Sequence, residues 1–478
     1  MNNLISFATG SELRPFSLND RICFEIQPLI QTLLDSFVAT ENLDRAIAQG
    51  IEQHPKLAEV YFEVDHSNRV SSFSLKEEFL FPQENSLLKL FYRNKTTLKA
   101  LFGQVGIENL AEESSLPELQ KLICLCAQSR FTYQEICEQI DDPKTIKLFS
   151  ELKRWQVVTE QPHVPPQDAF KNSGIFRLQH AALLYRTETT GILVDPHLHS
   201  NYGKRGMEND ITRAQLEGYV DGILISHSHY DHWHCPTLMM FPSDTLIVVP
   251  KVPRNSITCE DMEGRLKSLG FTNVRAVDWY SEAITIGDME INVLPFYGEQ
   301  TIVPEHDRFI HPDLRNWGNT YLINTLDYSS WFLVDAGQEP GASMLDVAEE
   351  VRQKFGKVDS IISNFQALSY NSIGTDLSSW GIDIVGNLLT NPQIFSVTNK
   401  TEGSYIATLS PKGVAQICAI VEAQSCLPYA DSWAEVGQST VHDPELIQQV
   451  QQELKKLQCS TKVIPWKIGD RYLPSLWV

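Results

Sequence analysis

The sequence predicts an α/β protein of two domains, on three observations. From about Gly174 onward, short apolar strand-like runs come as hairpin pairs with helical stretches between them. Before about residue 165 helical runs dominate, and only short strand-like ones separate them. A proline-rich break, Pro162-His-Val-Pro-Pro-Gln167, divides the two regimes. At 478 residues the chain also exceeds what one ordinary core accommodates. We therefore expect an N-terminal α+β domain over 1–165, without metal ligands, and a second, strand-rich domain over 170–478.

In the first domain, helices are expected over 26–37 and 41–53, with strand-like runs at 59–64 and 79–81. Residues 116–126 are apolar at helical spacing, with Ser115 as N-cap and Pro117 near the first turn. Further helices are expected over 132–140 and 143–155, followed by a strand at 156–159. Three short helices and a strand resemble a winged-helix segment. Glu135, Glu138, Asp141, Asp142 and Glu151 accompany these helices, so docking or homodimerisation is expected there in place of DNA binding.

In the second domain, 175–185 and 191–195 read as a hairpin turning at 187–191. A strand at 220–226 and a buried one at 245–250 follow, and then a helix over 261–269 stopped by Gly270. Hairpins are expected at 283–287 with 289–295, and at 320–324 with 330–335. A strand at 358–363, a helix over 444–457 and a strand-like 462–466 complete the reading.

Composition narrows the function classes. A net charge of −21, with no Lys/Arg run, argues against nucleic acid or an anionic membrane as partner, since both are polyanions. No run approaches the roughly 18 apolar residues of a membrane span, and the first residues lack a basic, apolar leader pattern. Nine scattered cysteines without CxxC spacing fit free thiols, and hence a cytoplasmic protein. Cys235, close to the histidines described next, is expected to be buried filler.

The chemistry concentrates in His227-Ser-His229-Tyr-Asp231-His232-Trp-His234, directly after the apolar run 220–226. Imidazole is mostly neutral near pH 7 and offers one lone pair to a metal. His227 and His229, two apart, project from one side of an extended segment and can reach one metal. Asp231 and His232 follow the turn and can reach a second. So many ligand-type residues at one strand end have no ordinary packing role. The pattern His-x-His-x-Asp-His resembles the signature of the metallo-β-lactamase fold, and the resemblance covers 175–478. It implies an αββα sandwich, with Asp195 of Asp195-Pro-His197-Leu-His199 orienting a ligand from behind. It also places Asp335 as a carboxylate bridging two metals. His197 and His199 are expected to bond locally or face solvent.

One motif departs from most of that family. Where its zinc hydrolases place a histidine, this chain offers Glu299, with His306 and His311 as later alternatives. A carboxylate there hardens the site and favours iron. This resembles the diiron β-hydroxylase oxygenases, the type found in chloramphenicol biosynthesis. The resemblance implies two metal ions, iron favoured over zinc or manganese, with O2 as cosubstrate and an external electron donor. It also implies hydroxylation of an amino-acid-like or natural-product substrate held on a carrier domain. Ligands would be His227, His229 and Glu299 on one metal and Asp231 and His232 on the other, with Asp335 between them and Asp231 and Glu299 shaping catalysis. The last ligand of the second metal is left open between Asp431, His442 and none. Two other readings compete: a zinc-dependent metallo-hydrolase of an ester, amide or phosphoester, and a non-catalytic scaffold with a vestigial site.

Overall fold

The structure, a computed structural model, describes residues 3–8, 11–40, 42–65, 72–83, 89–93, 116–161, 168–179, 181–198, 211–229, 231–257, 259–298, 313, 315–339, 341–365, 408–430 and 444–474. The N-terminal region runs β1 (Leu4–Phe7), β2 (Glu12–Phe16), α1 (Leu18–Thr40), α2 (Leu43–Gln53), α3 (Pro55–Tyr61), β3 (Phe62–Asp65), β4 (Ser72–Leu75), α4 (Glu77–Leu80) and β5 (Lys89–Arg93). It continues through α5 (Leu116–Ala127), α6 (Tyr133–Gln139), α7 (Pro143–Arg154) and β6 (Val158–Gln161). Its strands form three antiparallel pairs, β1 with β6, β2 with β5 and β3 with β4. The helix pattern of the sequence is met at α5, α6 and α7; α6 carries a full capping box between Thr132 and Glu135.

Two short readings fail. The run 59–64 is helical as far as Tyr61 and extended only from Phe62, and 79–81 falls at the end of α4. Short apolar clusters fit a helix turn and a buried strand equally. Glu77 and Glu78 at the start of α4 favour the helix, since negative charge suits its N-terminus.

The rest of the described chain runs β7 (Gly174–Arg177), β8 (Leu183–Arg186), β9 (Gly191–Val194), β10 (Gly222–Leu224), α8 (Cys235–Leu238), β11 (Leu246–Pro250), α9 (Met262–Ser268), β12 (Val274–Val277), β13 (Ile284–Ile286) and β14 (Met289–Pro295). After these come β15 (Asn319–Asn324), β16 (Ser329–Val334), β17 (Gln338–Glu339), β18 (Ala342–Ser343), α10 (Met344–Phe355), β19 (Ser360–Ser363), α11 (Pro411–Ile420), β20 (Ser425–Pro428), α12 (Pro444–Lys456), β21 (Lys462–Val463) and β22 (Arg471–Tyr472). Two seven-stranded sheets result, ordered β12-β11-β10-β9-β8-β7-β22 and β13-β14-β15-β16-β19-β20-β21. The expected single strand 175–185 is two, β7 and β8, because Ala182 N–H bonds back to the Gln179 carbonyl and closes a turn with no glycine or proline to announce it. Helices α10 and α11 and strand β20 were not read from the sequence.

Strand alternation shows why the fold is a layered sandwich. Ile192 and Val194 of β9, Leu224 of β10 and Val248 of β11 point into the core between the sheets. Leu193, Ile223, Ile247 and Val249, their neighbours, point to the opposite face, into a second core. Both faces of the first sheet are therefore covered, and its strands read as unbroken apolar runs. The second core also takes Leu119, Leu122, Leu148, Phe149 and Leu152 of α5 and α7, with Met262 and Leu266 of α9. On the second sheet, α10 packs through Met344, Val347, Ala348 and Val351, at the i, i+3, i+4, i+7 spacing of one helix face. Helix α11 packs there through Val414, Ala415, Ile417 and Cys418. Helices outside two stacked sheets are the αββα layering that the resemblance implies. The remaining N-terminal elements gather a third core around Ile26, Leu29, Leu33 and Ile47, joined by Ile257 from the rest of the chain.

Candidate metal centre

Strands β9, β10 and β11 are mutually parallel, and so are β16, β19 and β20. Their carboxyl ends meet along one edge of the sandwich. Asp195 follows β9, the histidine run follows β10, Asp335 follows β16, Asn364 follows β19 and Tyr429 follows β20. Residues as distant in sequence as Asp195 and Tyr429, 234 positions apart, thus share one site because parallel strands deliver their ends to one place.

Donor atoms of His227, His232 and Asp335 lie within 4.8 Å of one another, and all three residues are buried. The His232 Nε2 is 2.7 Å from Asp335 Oδ2 and 3.2 Å from Asp231 Oδ2. The ring nitrogen of each histidine turned away from that point is held. Nδ1 of His232 sits 2.9 Å from Asp195 Oδ2, Nδ1 of His227 2.9 Å from Ser226 Oγ, and Nε2 of His229 3.2 Å from the Asn316 side-chain amide. For His232 and His227 the partner accepts from the far nitrogen, which fixes tautomer and ring plane and turns the other nitrogen inward, as metal-ligating histidines require. Asp195 is itself fully buried, accepting from Ser226 N at 2.7 Å and Ser226 Oγ at 2.6 Å. Asn364 Nδ2 donates to Asp335 Oδ1 at 2.8 Å, leaving the other carboxylate oxygen to face His232.

The electrostatics point the same way. Burial opposes a charge on His232, but the Asp231 and Asp335 carboxylates outweigh it and its imidazole titrates well above the ordinary histidine value. A pocket that draws a proton there has the negative potential that would hold a cation. Burial, with repulsion from His232 and His229, pushes His227 well below the ordinary value and keeps it neutral, with its lone pair available. Burial raises Asp195, and the donors from His232 and Ser226 oppose the rise. Two imidazoles and a carboxylate, His227, His232 and Asp335, form a donor set suited to a first-row divalent ion.

The wall is tightly built. His227 stacks on Phe296 with ring centroids 4.9 Å apart. A β-carbon on Gly318 would stand 2.7 Å from the Phe296 ring and 3.0 Å from His227 Cβ, so only glycine fits there. Beside it, Arg315 lies over Trp279, Tyr297 and Trp317 and donates to the Phe296 carbonyl and to Glu339 Oε1. Burial pushes Glu339 up to about 7, against the pull of Arg315. A carboxyl raised on folding stabilises the protein below its unfolded value and loses that contribution as pH rises. Between about pH 4.5 and 7 the wild type should therefore lose up to roughly 3 kcal/mol that Glu339→Gln does not lose. Denaturant melts of both at pH 5 and pH 8 check this; parallel pH dependences would refute it.

Strain gathers at the same edge. Asp195 (φ +43°), Val334 (φ +60°) and Ala430 (φ +51°) all occupy the left-handed region, each on or beside a residue of the site. That conformation costs about 1–3 kcal/mol for such residues, and the β-branched Val334 is the least suited to it.

Of the residues proposed from sequence, His227, His229, Asp231, His232 and Asp335 come together, with Asp195 behind them. Glu299, His199, His306, His311, Asp431 and His442 lie outside the described residues. His197 does not face solvent: it is fully buried, its ring 3.9 Å from that of His234, and it is not among the three residues whose donor atoms converge. Cys235 is buried in α8 with its thiol pushed up to about 12 by burial, as filler. Sequence reading missed Ser226, Asn316, Asn364, Phe296 and Tyr429. Only Ser226 carried a signal, as the residue abutting the histidine run.

No family model matches the sequence. Over 231 residues the chain is 29% identical to the 4-amino-L-phenylalanyl-[CmlP-peptidyl-carrier-protein] 3-hydroxylase of Streptomyces venezuelae, a match spanning 48% of this chain and 40% of that relative. Its structure is similar to that of CmlA, a diiron β-hydroxylase from Streptomyces venezuelae, with a TM-score of 0.58 at 16% identity over 97% of this chain and 98% of that one. A CmlA variant aligns with a TM-score of 0.56 at 16% identity, over 96% and 98%. At that identity the structural likeness speaks to fold. The fold is the metallo-β-lactamase sandwich, preceded by an α+β region. Among the described residues no helix is long and apolar enough to cross a membrane.

Proposed function

We propose that this chain is a dinuclear metal oxygenase of the metallo-β-lactamase fold that hydroxylates an amino-acid-like substrate presented on a carrier domain. The observation that carries the reading is the convergence of His227, His232 and Asp335, with the far nitrogen of both histidines held. The sequence match to a hydroxylase acting on a carrier-bound aminophenylalanyl group supports the substrate class. In this reading His227, His229 and Glu299 hold one metal, Asp231 and His232 the other, and Asp335 bridges them. Two iron ions would supply O2 activation, with electrons from an external donor. The protein's own part is to orient: Asp195 and Ser226 aim His232 and His227, Asn364 turns Asp335, and Phe296 with Arg315 walls off one side from water.

The division near residue 165 is likewise our proposal, with carrier docking or dimerisation as the N-terminal role. The separate core of α1 and α2 supports it, although α5 and α7 share a core with the first sheet. The test is metal analysis of the protein as purified, with oxygen uptake after anaerobic reduction. About two irons per chain and reductant-dependent O2 uptake are expected. Stoichiometric zinc with ester or phosphoester hydrolysis would replace this reading with a hydrolase.

A further inference from the structure

Three strand ends close the metal centre from the second sheet, and two of them deliver residues already assigned: Asp335 after β16 and Asn364 after β19. The third, β20, delivers Tyr429. We propose that Tyr429 is a positioning residue for the second metal position, its hydroxyl fixing the carboxylate of Asp195 that orients His232. The proposal rests on the metal-centre reading given above.

The phenol O–H donates to Asp195 Oδ2 at 3.3 Å, the same oxygen that takes Ser226 Oγ and His232 Nδ1. The ring is 1% exposed and stands edge-on to Phe332 at 4.8 Å, which sets the direction of the hydroxyl. Its centroid is 6.2 Å from that of His232, and its hydroxyl meets the Asp195 oxygen that also takes His232 Nδ1. That places the phenol behind the ligand and not on the metal. Burial, then the nearby Asp195, Asp335 and Asp231 carboxylates, keep Tyr429 protonated, so it acts there only as a donor. Asp195 is buried at a left-handed φ of +43°, and Ala430, directly after Tyr429, is left-handed too at φ +51°. Asp195 itself and the residue after Tyr429 are thus both held in the left-handed region.

A bare packing role would be filled by phenylalanine, and this sets the experiment. The full chain, stripped of metal, is titrated anaerobically with Co(II), following heat and the visible d–d absorption. Tyr429→Phe should weaken the second equivalent by about 10-fold and shift its absorption, leaving the first equivalent unchanged. The melting midpoint of the metal-free variant should match wild type, since only one long hydrogen bond is lost. In an Asp195→Asn background, itself weaker than Tyr429→Phe, adding the tyrosine change should do little further. Equal Co(II) affinities and spectra in Tyr429→Phe and wild type would overturn the proposal while leaving the metal centre intact. So would a full, additive loss in the Asp195→Asn background. Failure of the wild type to bind Co(II) at all would overturn the metal-centre reading and this proposal with it.

Discussion

Replacing His232 by alanine is expected to empty the second metal position. The imidazole sits between two carboxylates, 2.7 Å from Asp335 and 3.2 Å from Asp231, with Asp195 behind it. Removing it takes away a donor and leaves three buried carboxylates closer to mutual repulsion, which water relieves poorly. The loss in affinity should exceed the roughly 10–100-fold typical of changes behind a ligand. His227→Ala should do the same at the first position. His197→Ala, which removes a buried ring packed against His234 and not one of the three converging donors, should keep metal content near wild type. Elemental analysis of the purified variants decides, and the reverse order of losses would mean the centre has been misplaced.

Glu299→His is expected to change which metal is held. In the proposed ligand set, Asp231, Glu299 and Asp335 stand against three histidines, an oxygen-rich set suited to iron moving between two oxidation states. With histidine at 299 the set becomes that of a zinc site. Bound metal should shift from iron toward zinc, and O2-dependent turnover should fall to background with the fold unchanged by circular dichroism. If Glu299→Ala keeps full metal while His306→Ala or His311→Ala loses it, the ligand at this position is one of those histidines and the case for oxygen chemistry weakens.

The parts legible in sequence are those written in consecutive residues. The run 227–232 declares itself because three imidazoles and a carboxylate at one strand end have no packing role, whereas Asp335 is placed by the order of motifs in the fold the chain resembles, since an aspartate before Ala336 and Gly337 is by itself a common turn. Asn316, Asn364 and Tyr429 are ordinary polar residues whose roles arise only when distant segments meet at one edge of the sandwich, and nothing local marks them. Ser226 is marked only by abutting the histidine run. Helix α10 was readable, since its apolar positions keep helical spacing, with Ser343 capping the first turn and Gly356 ending the last. Helix α11, only ten residues with a glycine and three β-branched side chains within it, gave a weaker signal.

Gly318 touches no metal ligand through a side chain of its own, since it has none, yet it occupies the spot where Phe296 and His227 leave no room. In a saturation library selected for function, this codon should tolerate nothing at all, alanine included, and so look as essential as the histidines. Its intolerance would be geometric and not chemical. Homologues that relax it would have to shrink Phe296 in the same step, so the two positions form one evolutionary unit.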